Sequence, residues 1–339
     1  MYRPSESIFI VAEIGGNFTT LEEGIRLVDA AIKAGVDAVK LQTYQADTIA
    51  TRNCMFEMES TGKISQYDYF TKYQTSIEVQ AGIFEYSRSH DILCFSTPSH
   101  ETDVDLLMKM EVKLMKIGAD DANNIPLIRY IARTGLPVIL STGMCTIDEV
   151  RKAVETIEAE HNDKIVILHT VSGYPTRPEH VNLDVIRTYK ERFSRYTIGY
   201  SDHTLSPTAC VAAVAMGADV LERHFTLDKS ADGPDHMISS TPEEFKLIVD
   251  MSREIFQMRG KGEKNPVGPE ILNRRNNRKS VVAISDIKKG EMFSGRNIGI
   301  RRPGYGLGPR FIDEFIGRCS NRDIERDELL QVKDIIKGL

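Results

Sequence analysis

Eight short apolar runs punctuate the first 226 residues: IFIVAE (8–13), VDAVKLQT (36–43), ILCFSTP (92–98), VKLMKIG (112–118), PVILSTG (137–143), KIVILHT (164–170), YTIGYSD (196–202) and DVLERHFT (219–226). Between most of them the apolar positions recur with a helical period. In LEEGIRLVDAAIKAG, for example, Leu21, Ile25, Val28 and Ala31 fall on one face and Gly35 closes the helix. Strand alternating with helix implies a parallel sheet. Near-continuous apolar strands repeated eight times within about 250 residues predict a closed (β/α)8 TIM barrel. An open doubly wound sheet is the alternative, because closure is not written in periodicity.

Beyond Arg259 the pattern changes to GKGEKNPVGPEILNRRNNRKS, rich in Gly, Pro, Asn and charge, which reads as a linker. After it come short strands and Gly-rich turns. The expected organisation is a catalytic barrel over 1–260, a linker over 261–279 and a small β-rich domain over 280–339.

Composition narrows the class. Of 339 residues, 41% are hydrophobic and 27% charged, the profile of an ordinary globular enzyme. A net charge of -6 argues against a broad nucleic-acid surface. The amino-terminal MYRPSES leads into IFIVAEI, too short and too quickly polar for a signal peptide or membrane span. Cys54, Cys94, Cys145, Cys210 and Cys319 are odd in number, with no CxxC pair, and read as reduced. A cytoplasmic location is expected.

In such a barrel the chemistry gathers at the carboxyl ends of the strands. Those ends hold Glu13, Lys40 and Gln42, Ser96-Thr97, Lys116, Ser141-Thr142-Gly143, His169 and Ser172, Ser201-Asp202-His203, and Glu222-Arg223-His224. Two lysines converging on one mouth repel unless an anion lies between them. With hydroxyls from Ser141, Ser172 and Ser201 on the rim, that anion would be a phosphate, alone or with a carboxylate. A lone lysine in a strand also serves as a snorkelling or ion-paired residue, and each serine as a turn or cap. His203 and His224, on adjacent strands, could share a divalent ion such as Mn²⁺ or Zn²⁺ that takes its other ligands from water, substrate or Gln42. Two separated histidines are otherwise unrelated residues. Asp202 and Glu222 would then be supporting groups. Glu13 is a candidate acid or base, or a core carboxylate paired with a cation.

At these residues the sequence resembles the sialic acid synthase family, the enzymes that condense phosphoenolpyruvate with amino sugars. The shared motifs are VAEIGGN (11–17), VKLQT (39–43), FSTP (95–98), KIG (116–118), LSTGM (140–144), YPT (174–176), IGYSDHT (198–204), LERHFT (221–226) and DGPDH (232–236). KSVVA, DIKKGE and RRPGYG (301–306) resemble the antifreeze-like (SAF) domain of those synthases. The resemblance implies a transferase that joins phosphoenolpyruvate to the open-chain aldehyde of an N-acetylated hexosamine such as N-acetylmannosamine, releasing phosphate. It implies that Lys40, Thr97, Lys116, Ser172 and Ser201 hold phosphoenolpyruvate. His203 and His224 would bind the ion, Mn²⁺ foremost and Mg²⁺ or Co²⁺ as alternatives. Glu13, Gln42, Tyr174 and Asp235 would contact sugar or ion, Asp121 would stand near the substrates, and Arg302 would reach the acyl-amino group from a partner chain in a domain-swapped homodimer.

The pattern departs from the family at Phe18-Thr19-Thr20, expected to alter the sugar pocket, and at Ala119-Asp120, in a phosphate-contacting turn. Segment 53–75 does not align. Alternative readings are a synthase for a legionaminate- or pseudaminate-type sugar or for a 9-phosphate product, a deoxy-octulosonate synthase, and a sugar-binding homologue without catalysis.

Overall fold

A computed structural model describes residues 7–58 and 62–336. Residues 1–6, part of the stretch read above as too polar for a leader, lie outside the described residues, as do Glu59–Thr61 within the unaligned segment and 337–339 of the small domain.

The eight apolar runs form eight parallel strands: β1 (Phe9–Glu13), β2 (Ala38–Thr43), β5 (Leu93–Pro98), β6 (Met115–Ile117), β7 (Val138–Ser141), β8 (Ile165–Thr170), β9 (Thr197–Asp202) and β10 (Val220–His224). They close into a barrel, β1 pairing with both β2 and β10. Between β2 and β5 an antiparallel hairpin intervenes, β3 (Met55–Met58) with β4 (Gly62–Ser65), followed by a helix, Gln66–Tyr73. The periodicity of the sequence did not show this hairpin.

Side-chain alternation divides each barrel strand in two. Val11, Ala38, Phe95, Leu114, Ile139, Leu168 and Val220 point inward and pack as an apolar floor. Their neighbours, among them Ala12, Val39, Ile117, Leu140, Ile167 and Leu221, face outward into a larger core shared with the helices. The helix Leu21–Ala34 shows why these covers form. Thr20 and Glu23 make a capping box at its start, Gly35 ends it at φ 86°, and Leu27, Val28, Ala31 and Ala34 are its buried stripe. Leu21, expected on that stripe, lies at its exposed edge.

The chain divides into two compact units, 1–260 and 261–339. In the second, β11 (Ser280–Ala283) and β12 (Ile298–Arg301) pair antiparallel over a core of Val281, Ile287, Phe293, Phe315, Ile324 and Leu330. The stretch expected as a linker contains a helix, Gly268–Asn277, started by Pro269. Among the described residues no helix is long and apolar enough to cross a membrane, and all five cysteines are free.

Candidate active site

Directly above the apolar floor, the next inward positions are charged. Register sets Glu13 on β1 beside Lys40 on β2 and His224 on β10, and Glu222 beside Ser201 on β9. Lys40 pairs with Glu13, donates to Thr97 Oγ1 at 3.1 Å, and lies 3.8 Å from Glu222 Oε1. Lys116 pairs with that same Glu222 oxygen, which also accepts from Ser201 Oγ at 3.1 Å. All four charged residues are at most 5% exposed. Two ammonium and two carboxylate groups thus neutralise one another where water is excluded, an arrangement that survives burial only because each charge has a partner.

Burial and the Lys40 ammonium together push Lys116 down to about 8. Burial works against ionisation of Glu222, yet the two lysines hold its carboxyl down near 2. Glu13 is raised, by burial first and Glu222 next. Glu222, expected as a supporting group, is the carboxylate that joins both lysines. Alternation contained the signal, since Glu222 and His224 share parity while Arg223 points the other way. Arg223 indeed pairs with Asp202 outside the barrel, donating also to Thr204 O at 2.7 Å and Ser240 Oγ at 2.6 Å. His169, one of the strand-end residues above, likewise faces outward, its Nε2 2.8 Å from Val181 O.

The second side of the mouth is aromatic and neutral. His203 Nδ1 lies 2.8 Å from Val171 O, which fixes the ring with Nε2 free of its proton. The His203 and His224 rings are 5.4 Å apart, and Tyr174 lies against His203 at 4.3 Å. Asp235, bonded by the Gln42 side chain, is 3.5 Å from His224 Nδ1 and is raised to about 7 by burial and by Glu13.

Comparison with known proteins follows from this geometry. Residues 27–264 match the model of the NeuB family and residues 278–336 that of the SAF domain. The chain belongs to the NeuB family. Pseudaminic acid synthase of Campylobacter jejuni is 36% identical over 338 residues, 98% of each chain. N,N'-diacetyllegionaminic acid synthase of Legionella pneumophila is 37% identical over 322 residues, 92% of this chain and 90% of the relative. The crystal structure of spore coat polysaccharide biosynthesis protein SpsE of Bacillus subtilis superimposes with a TM-score of 0.67 at 33% identity, covering 98% of this chain and 96% of the other. Relatives of this NeuB-family chain thus include pseudaminic and N,N'-diacetyllegionaminic acid synthases.

Not every expected residue joins the cluster. Asp121 lies in the turn after β6, accepting from Asn124 at 2.8 Å, and burial lifts it to about 6. It is its neighbour Asp120 whose charge Tyr174 feels. Ser172 Oγ occupies the space a side chain on Gly143 would need, with Ala119 alongside. Arg302 is exposed in the second unit, just after β12. At the departure 18–20, Phe18 is 4% exposed in the outer core and Thr20 is the helix cap.

Do the two histidines of this NeuB-family mouth fit a metal ion? His224 Nδ1 is buried without a hydrogen-bond partner, and burial holds both imidazoles below their usual pKa, neutral and able to ligate. Among the described residues no group of three or more His, Cys, Asp or Glu could hold an ion. The pair therefore suits an ion that draws most ligands from substrate and water, as in an open catalytic site.

Gly15 keeps β1 and β2 in contact at this level. A Cβ there would lie 2.5 Å from Glu13 Oε1 and 2.7 Å from the Gln42 backbone nitrogen. Gly15→Ala should therefore lower stability by about 1–3 kcal/mol, as overpacking does. Thermal unfolding measures it, and an unchanged Tm would show that the strand ends can part freely.

Proposed function

We propose that the chain condenses phosphoenolpyruvate with the open-chain aldehyde of an N-acylated amino hexose, forming a nonulosonate and releasing phosphate. The observation that supports this reading best is the pair of buried lysines, Lys40 and Lys116, held between Glu13 and Glu222 at the carboxyl ends of the strands. Lys40, Lys116, Thr97 and Ser201 would bind the phosphate and carboxylate of phosphoenolpyruvate, with Ser172 on the rim. Gln42, Tyr174 and Asp235 would face the sugar or the ion, and Asp121, in the turn after β6, would stand near the substrates. His203 and His224 would hold a divalent ion, Mn²⁺ foremost as the family resemblance implies, with Mg²⁺ or Co²⁺ able to replace it; when bound it would supply Lewis acidity toward the aldehyde oxygen.

The chain's own residues do the rest. The lysines fix the enol so that its C3 faces the aldehyde carbon, and holding both reactants can remove about 7–11 kcal/mol of the barrier. As the enol π pair forms the C–C bond, the carbonyl pair moves to the aldehyde oxygen, which takes up a proton. Water adds at the C2 cation and gives up a proton, and phosphate leaves with its C–O bond pair as the C2 hydroxyl loses its proton to give the ketone. Lys40 and Lys116 stabilise the departing charge in a site from which bulk water is excluded. Because Glu13 and Glu222 already cancel the lysines, a phosphoenolpyruvate anion adds uncompensated negative charge, which a divalent cation would offset.

Identity does not choose the sugar, since the pseudaminic and legionaminic acid synthases are equally similar to this chain. Phosphate release measured against N-acetylmannosamine, its 6-phosphate and the diacetamido trideoxy hexoses tests the reading. Release with none of them would overturn it in favour of a binding protein.

We place the reaction in the cytoplasm, in accord with five free cysteines, and propose a homodimer in which Arg302 serves the partner's barrel. Residues 1–260 hold 26 basic against 38 acidic residues, and 261–339 hold 17 against 11, so the two units carry opposite net charge. Loops following β7, β9 and β10 expose Met144, Leu205, Leu227 and Met237, an apolar rim that a second body would cover. Mixing Arg302→Ala chains with His203→Ala chains, after dissociation and reassociation, should recover activity, because one mouth receives both intact halves. No recovery in proven mixed dimers would mean that Arg302 acts in its own chain or not at all.

A further inference from the structure

The helix Gln66–Tyr73, inserted after β2, reaches across β1 to the loop after β10. Lys72 Nζ donates to Asp232 Oδ2 at 2.8 Å and Tyr73 OH to Asp232 Oδ1 at 3.3 Å, with the Lys72 ammonium 4.7 Å from the Tyr73 ring centroid. A relay of edge-to-face rings backs these donors, from Tyr44 through Phe70 and Tyr69 to Tyr73, at 5.1, 6.0 and 5.1 Å. Tyr44 stands two residues beyond Gln42 and is 6% exposed, so the relay is anchored in the barrel. Asp232 belongs to the loop after β10, three residues before Asp235. Asp235 is the residue that this loop sends inward to the Gln42 side chain and His224.

An exposed ion pair adds little stability by itself. Its consequence here is positional. Asp232 is tied to an element anchored on β2, and Asp235 is bonded to a side chain of β2. Gly16, at φ 77°, lies so close beneath the loop that a Cβ on it would stand 3.1 Å from Asp235 Oδ2. The loop after β10 is thus pinned at two points to elements of β2, the strand on the other flank of β1.

We propose that Lys72 and Tyr73 are positioning residues, clasping Asp232 so that Asp235 is held in the acceptor side of the mouth. This rests on the assignment of Asp235 to the sugar given above. The clasp bonds neither lysine, and Asp235 acts on Lys40 only through its charge, so the acceptor should suffer far more than phosphoenolpyruvate.

Three variants of the full-length chain test it: Lys72→Asp, Asp232→Lys and the two combined. Each single change should raise the acceptor KM about 5- to 20-fold with phosphoenolpyruvate KM changed less than twofold, and the double exchange should restore most of the loss. Equal change in both KM values, or no rescue by the exchange, would overturn the proposal. Amide hydrogen exchange of 227–238 is the readout that needs no turnover. It should quicken in Asp232→Lys and recover in the double exchange, even if no sugar of the panel is accepted and the proposed reaction fails. Unaltered exchange there would overturn the clasp independently of the reaction.

Discussion

Lys116→Met is expected to lower kcat/KM for phosphoenolpyruvate by roughly 30- to 5,000-fold, the equivalent of about 2–5 kcal/mol for a buried charge pair broken on one side. Methionine keeps the stem volume and removes the cation. Glu222 keeps Lys40 at 3.8 Å, so the fold should tolerate the change better than it would a wholly unpaired carboxylate. The pH profile supplies a second readout. Burial brings the Lys116 ammonium down to about 8, so the free enzyme holds the cation below that pH and loses it above. Phosphoenolpyruvate kcat/KM should fall as pH rises through 8, and that limb should vanish in Lys116→Met. Steady-state kinetics from pH 6.5 to 9.5 measure both effects. Unchanged phosphoenolpyruvate kinetics in the variant would sink the assignment.

Metal-free protein should release phosphate at least about a hundredfold more slowly than protein supplied with Mn²⁺, since a Lewis acid contributes several kcal/mol. Elemental analysis must accompany the assay, and full-rate release from protein shown to lack metal would end the idea. Binding itself can be measured without turnover. His203→Ala and His224→Ala should each lose Mn²⁺ affinity by titration. Because burial depresses both imidazoles, with His224 well below the ordinary histidine value, protons compete little with the metal. Affinity should therefore stay nearly level from pH 8 to 6, where a solvent-exposed histidine pair would weaken steeply.

Much of the barrel was legible because buried parallel strands must be apolar on both faces, and eight such runs stand out against amphipathic helices. Lys40 and Lys116 were legible for the opposite reason: a charge inside an apolar run is conspicuous. Glu222 was harder, since LERHFT contains two charges and a histidine in a row and only alternation tells which of them look inward. The same rule separates Ser201 and His203 from Asp202, and Thr170 from His169. The Lys72–Asp232 contact could not be read at all, because its partners lie 160 positions apart and no periodicity links them. The helix Gly268–Asn277 was hidden by its composition: none of its residues is buried, so it has no apolar stripe to betray it.

Alternation on β10 also limits how this chain can vary in descent. Inserting or deleting one residue within Val220–His224 would exchange Glu222 for Arg223 in the interior, setting a third cation against two lysines and stranding Asp202 outside without its guanidinium. No gradual route leads through such an intermediate. Length changes are free to accumulate only past the strand ends, as the hairpin after β2 illustrates, so lineages of this barrel should diverge in the reach and composition of their loops while strand lengths remain frozen.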